Sequence, residues 1–406
     1  HQIPYTSACG VYNKTMPVNY LQLQSQIHIL SDSILNQREK GKEALEKLTD
    51  QFKAAANLPD LAERVSAKLR ENRGLSCALP REERIDSHIS ASDHSGEIVN
   101  ILAADGSQIN PSRHEEVSFG LINTAIFKMR MNGNEAPQIV TETKLLERED
   151  DSLQEKLNNE ANVGLFRDVE ERRLLSREAC KIPQGEPVVA LTDGPLQLYY
   201  FQEPNTTENP LVNEYYKALA EMSEKKIITA GYTDRPRSTF VIDMLRLLMN
   251  SDPQDVIVKQ TLVFDSNLFS RILLPGERSA LFKLISPAVE QMPAAVQISF
   301  FYLNVGSDSR PMITRIEIPE WVSKDPAAID LLHYSLLQQN GFLSSNPYPY
   351  ALHRAHECAV VQFSEKEHVK QLIIRELLSR GVTDLEKSAK QIAKDLFGTT
   401  YRDFEE

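Results

Sequence analysis

Apolar and polar positions change period several times along the chain. From Leu21 to about Phe52, apolar residues recur near heptad spacing, at Ile27, Leu30, Ile34, Ala44 and Leu48, with Gln37 and Gly41 interrupting the series. This spacing predicts an amphipathic helix with one sticky face, and the interruptions argue against a long free coiled coil. Pro59 separates it from a second helix in LPDLAERVSAKLREN, where Leu61, Val65 and Leu69 offer a surface that covers the first. Residues 21–74 therefore read as a helical hairpin or arm, suited to packing or dimerisation rather than catalysis. Residues 75–96, richer in Pro, Ser, Asp and His, read as a linker, and residues 1–20 as a disordered leader.

A compact domain is expected over residues 97–375. EIVNILAAD predicts a buried strand, EEVSFGLINTAIFKM a second, and APQIVTETKLL a third after the NGN turn at 132–134. A charged helical stretch from 150 to about 180 leads into PVVALTDG, whose unbroken apolar run marks an interior strand. Helix 210–226, strand KIITAGYT, helix 238–250, strand QTLVFDS at 260–266, strand AAVQISFFYLNV at 294–305 and strand MITRIEIPEW follow. Helices are expected from Pro326 to Gln339, in YPYALHRAHECAVVQF and in EKEHVKQLIIRELLSRG, with a C-terminal helical segment over 376–406 packed on the domain. Three strands, a helix, a strand ending in Asp and then alternating elements indicate an α/β fold, a mixed sheet covered by helices.

Composition narrows the class. Among 406 residues, 41% are hydrophobic and 25% charged, the balance of a globular protein with a substantial core. No apolar run is long enough to cross a membrane. The four cysteines, Cys9, Cys77, Cys180 and Cys358, form no CxxC pair, which argues against a disulfide framework or structural zinc and suits a cytoplasmic location. A net charge of −12 speaks only weakly against a nucleic-acid partner, because binding follows local basic surface and an acidic metal site adds negative charge.

Two strands end in Asp-Gly, at Asp105 and Asp193. Either one alone is as well explained by a turn. Together, if their strands are neighbours, the carboxylates converge at one sheet edge, which is unfavourable unless a hard cation joins them. Between them FRDVEERRLLSREA carries Glu170, Glu171 and Glu178; Glu171 and Glu178 share a helix face and Glu170 points sideways. One of the three completes a metal shell, or all belong to a solvated Glu/Arg surface. Asp265 is either a further acidic ligand or an Asx-turn residue. Glu317 and Arg315 alternate along one strand face, there to orient a ligand and meet phosphate or to form a structural salt bridge. His353 and His356 do not fit HExxH zinc chemistry, and a single His beside the acidic site is the more plausible use. Arg235 and Arg237 flank a Pro before a helix and are candidates for phosphate contact, with Lys259, Arg271, Arg278 and Arg310 as lesser ones. Tyr199, Tyr200 and Phe201 serve either base stacking or core packing.

ILAADGSQINPSRH, VVALTDGPL and YPYALHRAHECAVV, in that order, resemble the NurA nuclease family, and AGYTDRPRS and ITRIEIPEW resemble its intervening segments, over roughly residues 98–375. The resemblance implies an RNase H-like nuclease domain using manganese, or magnesium, as one or two ions. It implies DNA end processing by 5′-to-3′ exonuclease and single-strand endonuclease activity, homodimers, and work with a HerA-type hexameric translocase. It places Asp105, Glu171, Asp193 and His356 at the catalytic and metal positions, with the helix acid in loose register among Glu170, Glu171 and Glu178. Rival readings are an RNase H-like ribonuclease and a noncatalytic DNA-binding or motor-recruiting dimer.

Overall fold

The computed structural model describes residues 19–72, 74–112, 115, 117–146, 160–198, 209–249, 263–343 and 346–382. The expected leader up to residue 18, the aromatic run Tyr199–Phe201, Lys259 and residues 383–406 lie outside them.

The chain opens with helix α1 (Tyr20–Ala56), started by an Asn19 side chain that accepts the Gln22 amide at 3.1 Å, and α2 (Leu61–Glu71). Strands β1 (Cys77–Pro80), β2 (Ile89–Ser90), β3 (Val99–Ile109), β4 (Gly120–Met131) and β5 (Gln138–Leu146) follow, then α3 (Glu160–Ala179). Next come β6 (Val188–Asp193), α4 (Pro210–Glu224), β7 (Ile228–Thr233), α5 (Phe240–Leu248), α6 (Asp265–Phe269), β8 (Glu277–Arg278) and β9 (Phe282–Ile285). The described chain ends with β10 (Ile298–Asn304), β11 (Ile313–Pro319), α7 (Pro326–Gly341), α8 (Tyr350–Ala359) and α9 (Phe363–Ser379).

All the strands join one sheet, in which the order β1-β9-β10-β11-β7-β6-β3-β4-β5 runs from edge to edge and β2 and β8 pair beside β10. β3, β4 and β5 form an antiparallel meander, while β6 pairs parallel to β3 and β7 parallel to β6. That five-strand arrangement is RNase H-like; β11 and β10 extend it antiparallel beyond β7. Alternate residues of each strand supply two cores. Leu102 and Ala104 face a layer of α1, α3, α4, α5 and α6, and Ile101 and Ala103 face α7 and α8. The result is a mixed sheet between two helical layers.

The 75–96 stretch, expected as a linker, instead contributes two strands, β1 paired with β9 and β2 with β8. Its Cys77, Ala78 and Pro80 are buried, and Pro80 is tolerated because β1 lies at the sheet edge. Runs of two to four residues carry too little periodicity to announce themselves. The arm also divides. Ala44, Leu48, Phe52 and Ala55 of α1 are buried in the core with Val65 of α2, whereas Ile27, Ile29, Leu30, Ile34 and Leu35 are exposed.

The expected strand at 260–266 is corrected over its described part, since Asp265 begins a short helix. Its buried carboxylate accepts the Val241 and Ile242 amides at 3.1 and 3.0 Å, in the first turn of α5, and the Tyr302 hydroxyl at 2.7 Å. Asp265 is thus a structural cap for a neighbouring helix. Burial outweighs these donors and pushes its pKa up to about 6. A carboxyl raised on folding contributes most below its unfolded pKa, near 4, and loses that contribution as pH rises through 6. Asp265→Asn should therefore cost about 1 kcal/mol at pH 4 and progressively less towards pH 7, measured by urea unfolding across that range. A constant difference between the two proteins would contradict this ionisation.

Candidate functional site

Parallel pairing places Ala104 of β3 beside Thr192 of β6, so that the next residues along the two strands are Asp105 and Asp193. Both continue the alternation that puts Ala103 and Leu191 on the α8 side of the sheet, and adjacent strands lie about 4.8 Å apart. The two carboxylates consequently share one face at one end of the sheet.

The two Asp-Gly pairs solve different problems. β3 runs straight through Asp105-Gly106 to Ile109. A Cβ on Gly106 would lie 2.6 Å from Glu171 Oε1 and 2.8 Å from Arg167 Cγ, so glycine here opens a gap through which α3, on the opposite side of the sheet, brings its carboxylate towards Asp105. At Gly194, by contrast, φ is +80° and the chain turns; its amide donates to Tyr232 O at 2.7 Å. The following Leu196 amide donates to Glu317 Oε2 at 2.8 Å, and the turn lies over Gly231, where a Cβ would meet Gly194 O at 2.6 Å.

Glu317 is buried and also pairs with Arg315 at 2.8 Å. The structural salt bridge is what forms, and it fixes the turn after Asp193. Arg315, only 5% exposed with its guanidinium 5.3 Å from the Phe240 ring centroid, is withdrawn from any surface that a DNA strand reaches. Its expected place among the phosphate contacts is corrected accordingly.

The helix acids separate as clearly. Glu170 accepts from Lys144 at 2.7 Å and Arg173 at 2.9 Å, and Glu178 from Lys128 at 3.1 Å and Lys181 at 2.7 Å. Both are structural pairs that clamp α3 to β4 and β5. Glu171 alone of the three reaches Gly106, with Arg167 Nε 3.2 Å from its Oε1. Burial first, then the neighbouring Asp168 and Asp105, push its carboxyl up to about 8 against the opposing pull of Arg167. Arg172, buried behind it, donates to Thr192 Oγ1 at 2.9 Å and to the Tyr215 hydroxyl at 3.2 Å, tying α3 to β6 and α4.

From the other side, α8 is pinned by its carboxyl end. Ala359 O accepts Ser107 Oγ at 2.5 Å and Asn123 Nδ2 at 2.9 Å. This places His356 over the sheet, with Nδ1 2.6 Å from Asp105 Oδ2 and 64% of the side chain exposed. His353 turns elsewhere and faces Glu357 at 3.5 Å. The Tyr348 hydroxyl bonds Asp193. Asp193 is open at the surface, yet the protein beneath it removes enough water to raise its pKa, and Asp105 adds like-charge repulsion. Tyr348 and Arg167 belong to this constellation and were not singled out from the sequence. The only signals for them are position, Tyr348 in the YPY preceding α8 and Arg167 one turn before Glu171.

Arg235 and Arg237 are exposed on the loop that leaves the same end of β7, on either side of the buried Pro236. Arg235 takes a left-handed φ of 43° and lies 3.7 Å from the Asp234 carboxylate.

Asp105, Glu171, Asp193 and His356 offer three carboxylates and an imidazole, a donor set for a hard divalent ion such as manganese or magnesium. Burial raises Glu171 and Asp193 first, and the like charge of Asp105 adds to it in both; a cation relieves that repulsion, so the set fits one chemically. Among the described residues no three His, Cys, Asp or Glu groups already close on a common point. Arg167 and His356 hold two of the acids instead.

An RNase H-like sheet with acids converging from both of its faces defines the class. A NurA domain model matches residues 99–361, and the chain belongs to the NurA domain family, a family of nucleases. Among solved structures, the NurA nuclease from Sulfolobus solfataricus is similar at 13% identity over 86% of this chain and 98% of that one, with a TM-score of 0.48. The catalytic domain of human Endonuclease V is similar at 14% identity over 80% and 100%, at 0.32. Drosophila Piwi is similar at 13% over 64% of this chain and 29% of that one, at 0.28. No curated protein matches the chain. No helix among the described residues is long and apolar enough to cross a membrane.

The raised carboxyl of Glu171 sets a test of the site's electrostatics. Its contribution to stability is largest below the unfolded value of 4.5 and falls as pH rises towards 8. Glu171→Gln, which cannot ionise, should stabilise the metal-free protein at pH 8 by at least ~1 kcal/mol and by much less near pH 4.5, in chemical denaturation with EDTA present. A destabilised variant at pH 8 would show that Glu171 is held as a relaxed ion pair.

Proposed function

We propose that the chain is a divalent-metal-dependent deoxyribonuclease acting at Asp105, Glu171, Asp193 and His356. The observation that carries this reading is the convergence of Asp105 and Asp193 on one face with Glu171 admitted from the other through Gly106. A bound manganese or magnesium ion, one or two in number, supplies Lewis-acid activation of the phosphodiester and a water nucleophile near neutral pH. Asp105, Glu171, Asp193 and His356 would hold it.

The remaining chemistry belongs to the chain. Asp105 orients the His356 imidazole through Nδ1, which would leave Nε2 as the donor to the ion. Tyr348 fixes the Asp193 carboxylate, and Glu317 fixes the turn behind it. Arg167 compensates Glu171 within the protein. Arg235 and Arg237 contact backbone phosphates, a mode that gives weak sequence preference. Within this reading fall 5′-to-3′ exonuclease and single-strand endonuclease action at broken ends and partnership with a HerA-type translocase.

Asp105→Asn and Asp193→Asn should fold yet lower cleavage at least ~100-fold, because each removes a ligand charge at nearly constant volume. Defined single-stranded and duplex DNA, RNA and hybrid substrates, assayed with Mn²⁺, Mg²⁺ and EDTA, provide the measurement. Cleavage of RNA alone would transfer the assignment to a ribonuclease, and wild-type rates in both variants would remove these acids from the chemistry.

We also propose a homodimer that covers the exposed half of α1, where five large aliphatic side chains between Ile27 and Leu35 face solvent. Deleting the chain up to Lys40 leaves Ala44, Leu48 and Phe52 in the core and should convert a dimer to a monomer in light scattering at micromolar concentration. A full-length monomer, or a dimer that survives the deletion, would exclude this seam.

A further inference from the structure

We propose that the cleft beside Tyr348 is a subsite for one nucleotide of a single DNA strand, with Arg310 on its phosphate. The inference rests on the nuclease reading above and adds to it where the strand lies.

The cleft has a volume of about 330 Å³ and opens where β10 ends and β11 begins. Its position follows from the sheet register. Asp193 pairs with Tyr232 on β7, Tyr232 with Ile316 on β11, and Ile316 with Phe301 on β10. β10 runs parallel to β6 and β7, so its last residue, Asn304, lies at the same end of the sheet as Asp193. Three inter-strand steps, about 14 Å, separate the strands, and Asn304 lies three residues, about 10 Å, beyond the Phe301 that is level with Asp193, so the cleft is about 17 Å from the acids, two or three nucleotides along a strand. One wall is shared with the site. Pro347 lines the cleft, and the next residue, Tyr348, bonds Asp193. Tyr232, edge-on to Tyr348 at 5.5 Å, donates to Asn340 on the cleft's other side at 3.1 Å.

The lining fits a nucleotide of any base. Val305, Met312, Leu337 and Pro347 give apolar walls. The two amides that could read a base edge are already engaged. Asn304 bonds Leu273 O and the Gly306 and Met312 amides, and Asn340 bonds Leu336 O and Tyr232. A base held there is held by contact area, which every base provides. The volume sits at the small end of the roughly 300–1,000 Å³ of ordinary ligand sites, enough for one nucleotide and too little for a duplex.

Arg310 is exposed at the rim, on a tight turn closed by two bonds of 3.1 Å between Ser307 and Arg310. A Cβ at Gly306 would lie 2.3 Å from Arg310 O and 2.4 Å from the Met312 amide, so only glycine lets the backbone of this turn pack so closely at the base of Arg310. Arg235, on the loop after β7, leaves the sheet between Asp193 and the cleft. A strand crossing the acids meets Arg235 and then Arg310.

Binding in EDTA separates this idea from catalysis. With full-length protein and a fluorescein-labelled oligodeoxythymidylate, anisotropy titrations over a series of salt concentrations should give Arg310→Ala about fivefold weaker binding and a salt slope smaller by about 0.7. Leu337→Trp, which fills the cleft, should weaken binding to a similar extent with the slope unchanged. Neither change should alter binding of a blunt duplex. Wild-type affinity for the oligonucleotide in both variants, or equal losses on duplex, would overturn the subsite while leaving the nuclease reading intact. A wild-type protein that neither binds nor cuts DNA would defeat both.

Discussion

The parallel pairing of β3 with β6 is the constraint on which the site depends. Their register, not any local turn, brings Asp105 and Asp193 side by side, and two carboxylates at that spacing repel. Everything around them manages the repulsion. His356 engages one acid and Tyr348 the other, while Arg167 attends the third from beneath. Glu317 and Arg315, a pair buried far from solvent, hold the turn that would otherwise let Asp193 swing away.

That arrangement also sets the ionisation of the third acid. Isolated in solution, a glutamate beside an arginine ionises readily; Glu171 does not, because lost hydration and two neighbouring anions outweigh Arg167. In the proposed function a divalent ion would take over from Arg167 as the partner of Glu171 Oε1. The clamps at Glu170 and Glu178 resist a shift of α3 that would relieve the repulsion, since Lys144 of β5 and Lys128 of β4 tie the helix to the sheet.

Much of the fold was legible because its central elements are long and periodic. The unbroken apolar run of β6, short and bounded by Pro and Asp-Gly, reads as an interior strand, and the three-strand meander is marked by its β-branched and aromatic runs and the turn at 132–134. β1, β2, β8 and β9 were not legible, being two to four residues long and stabilised by partners distant in sequence. Asp265 and Arg315 illustrate the limit for sites. Each reads from the sequence as either a ligand-binding or a structural group, and the choice is made by burial through tertiary contacts that no local pattern encodes. Gly106 shows the converse. Asp-Gly signals a turn by propensity, but this glycine sits mid-strand because of a helix more than sixty residues away.

Because the acids enter from opposite faces of the sheet, the site does not exist until both helical layers have docked. A nascent chain with only α3 seated holds Glu171 in place without His356, and one with only α8 seated holds the reverse. Under the proposed function, assembly of the last layer is the moment of arming, and a chain that opens on either side disarms itself. For a protein whose chemistry is directed at nucleic acid, foldedness itself is then the safety catch.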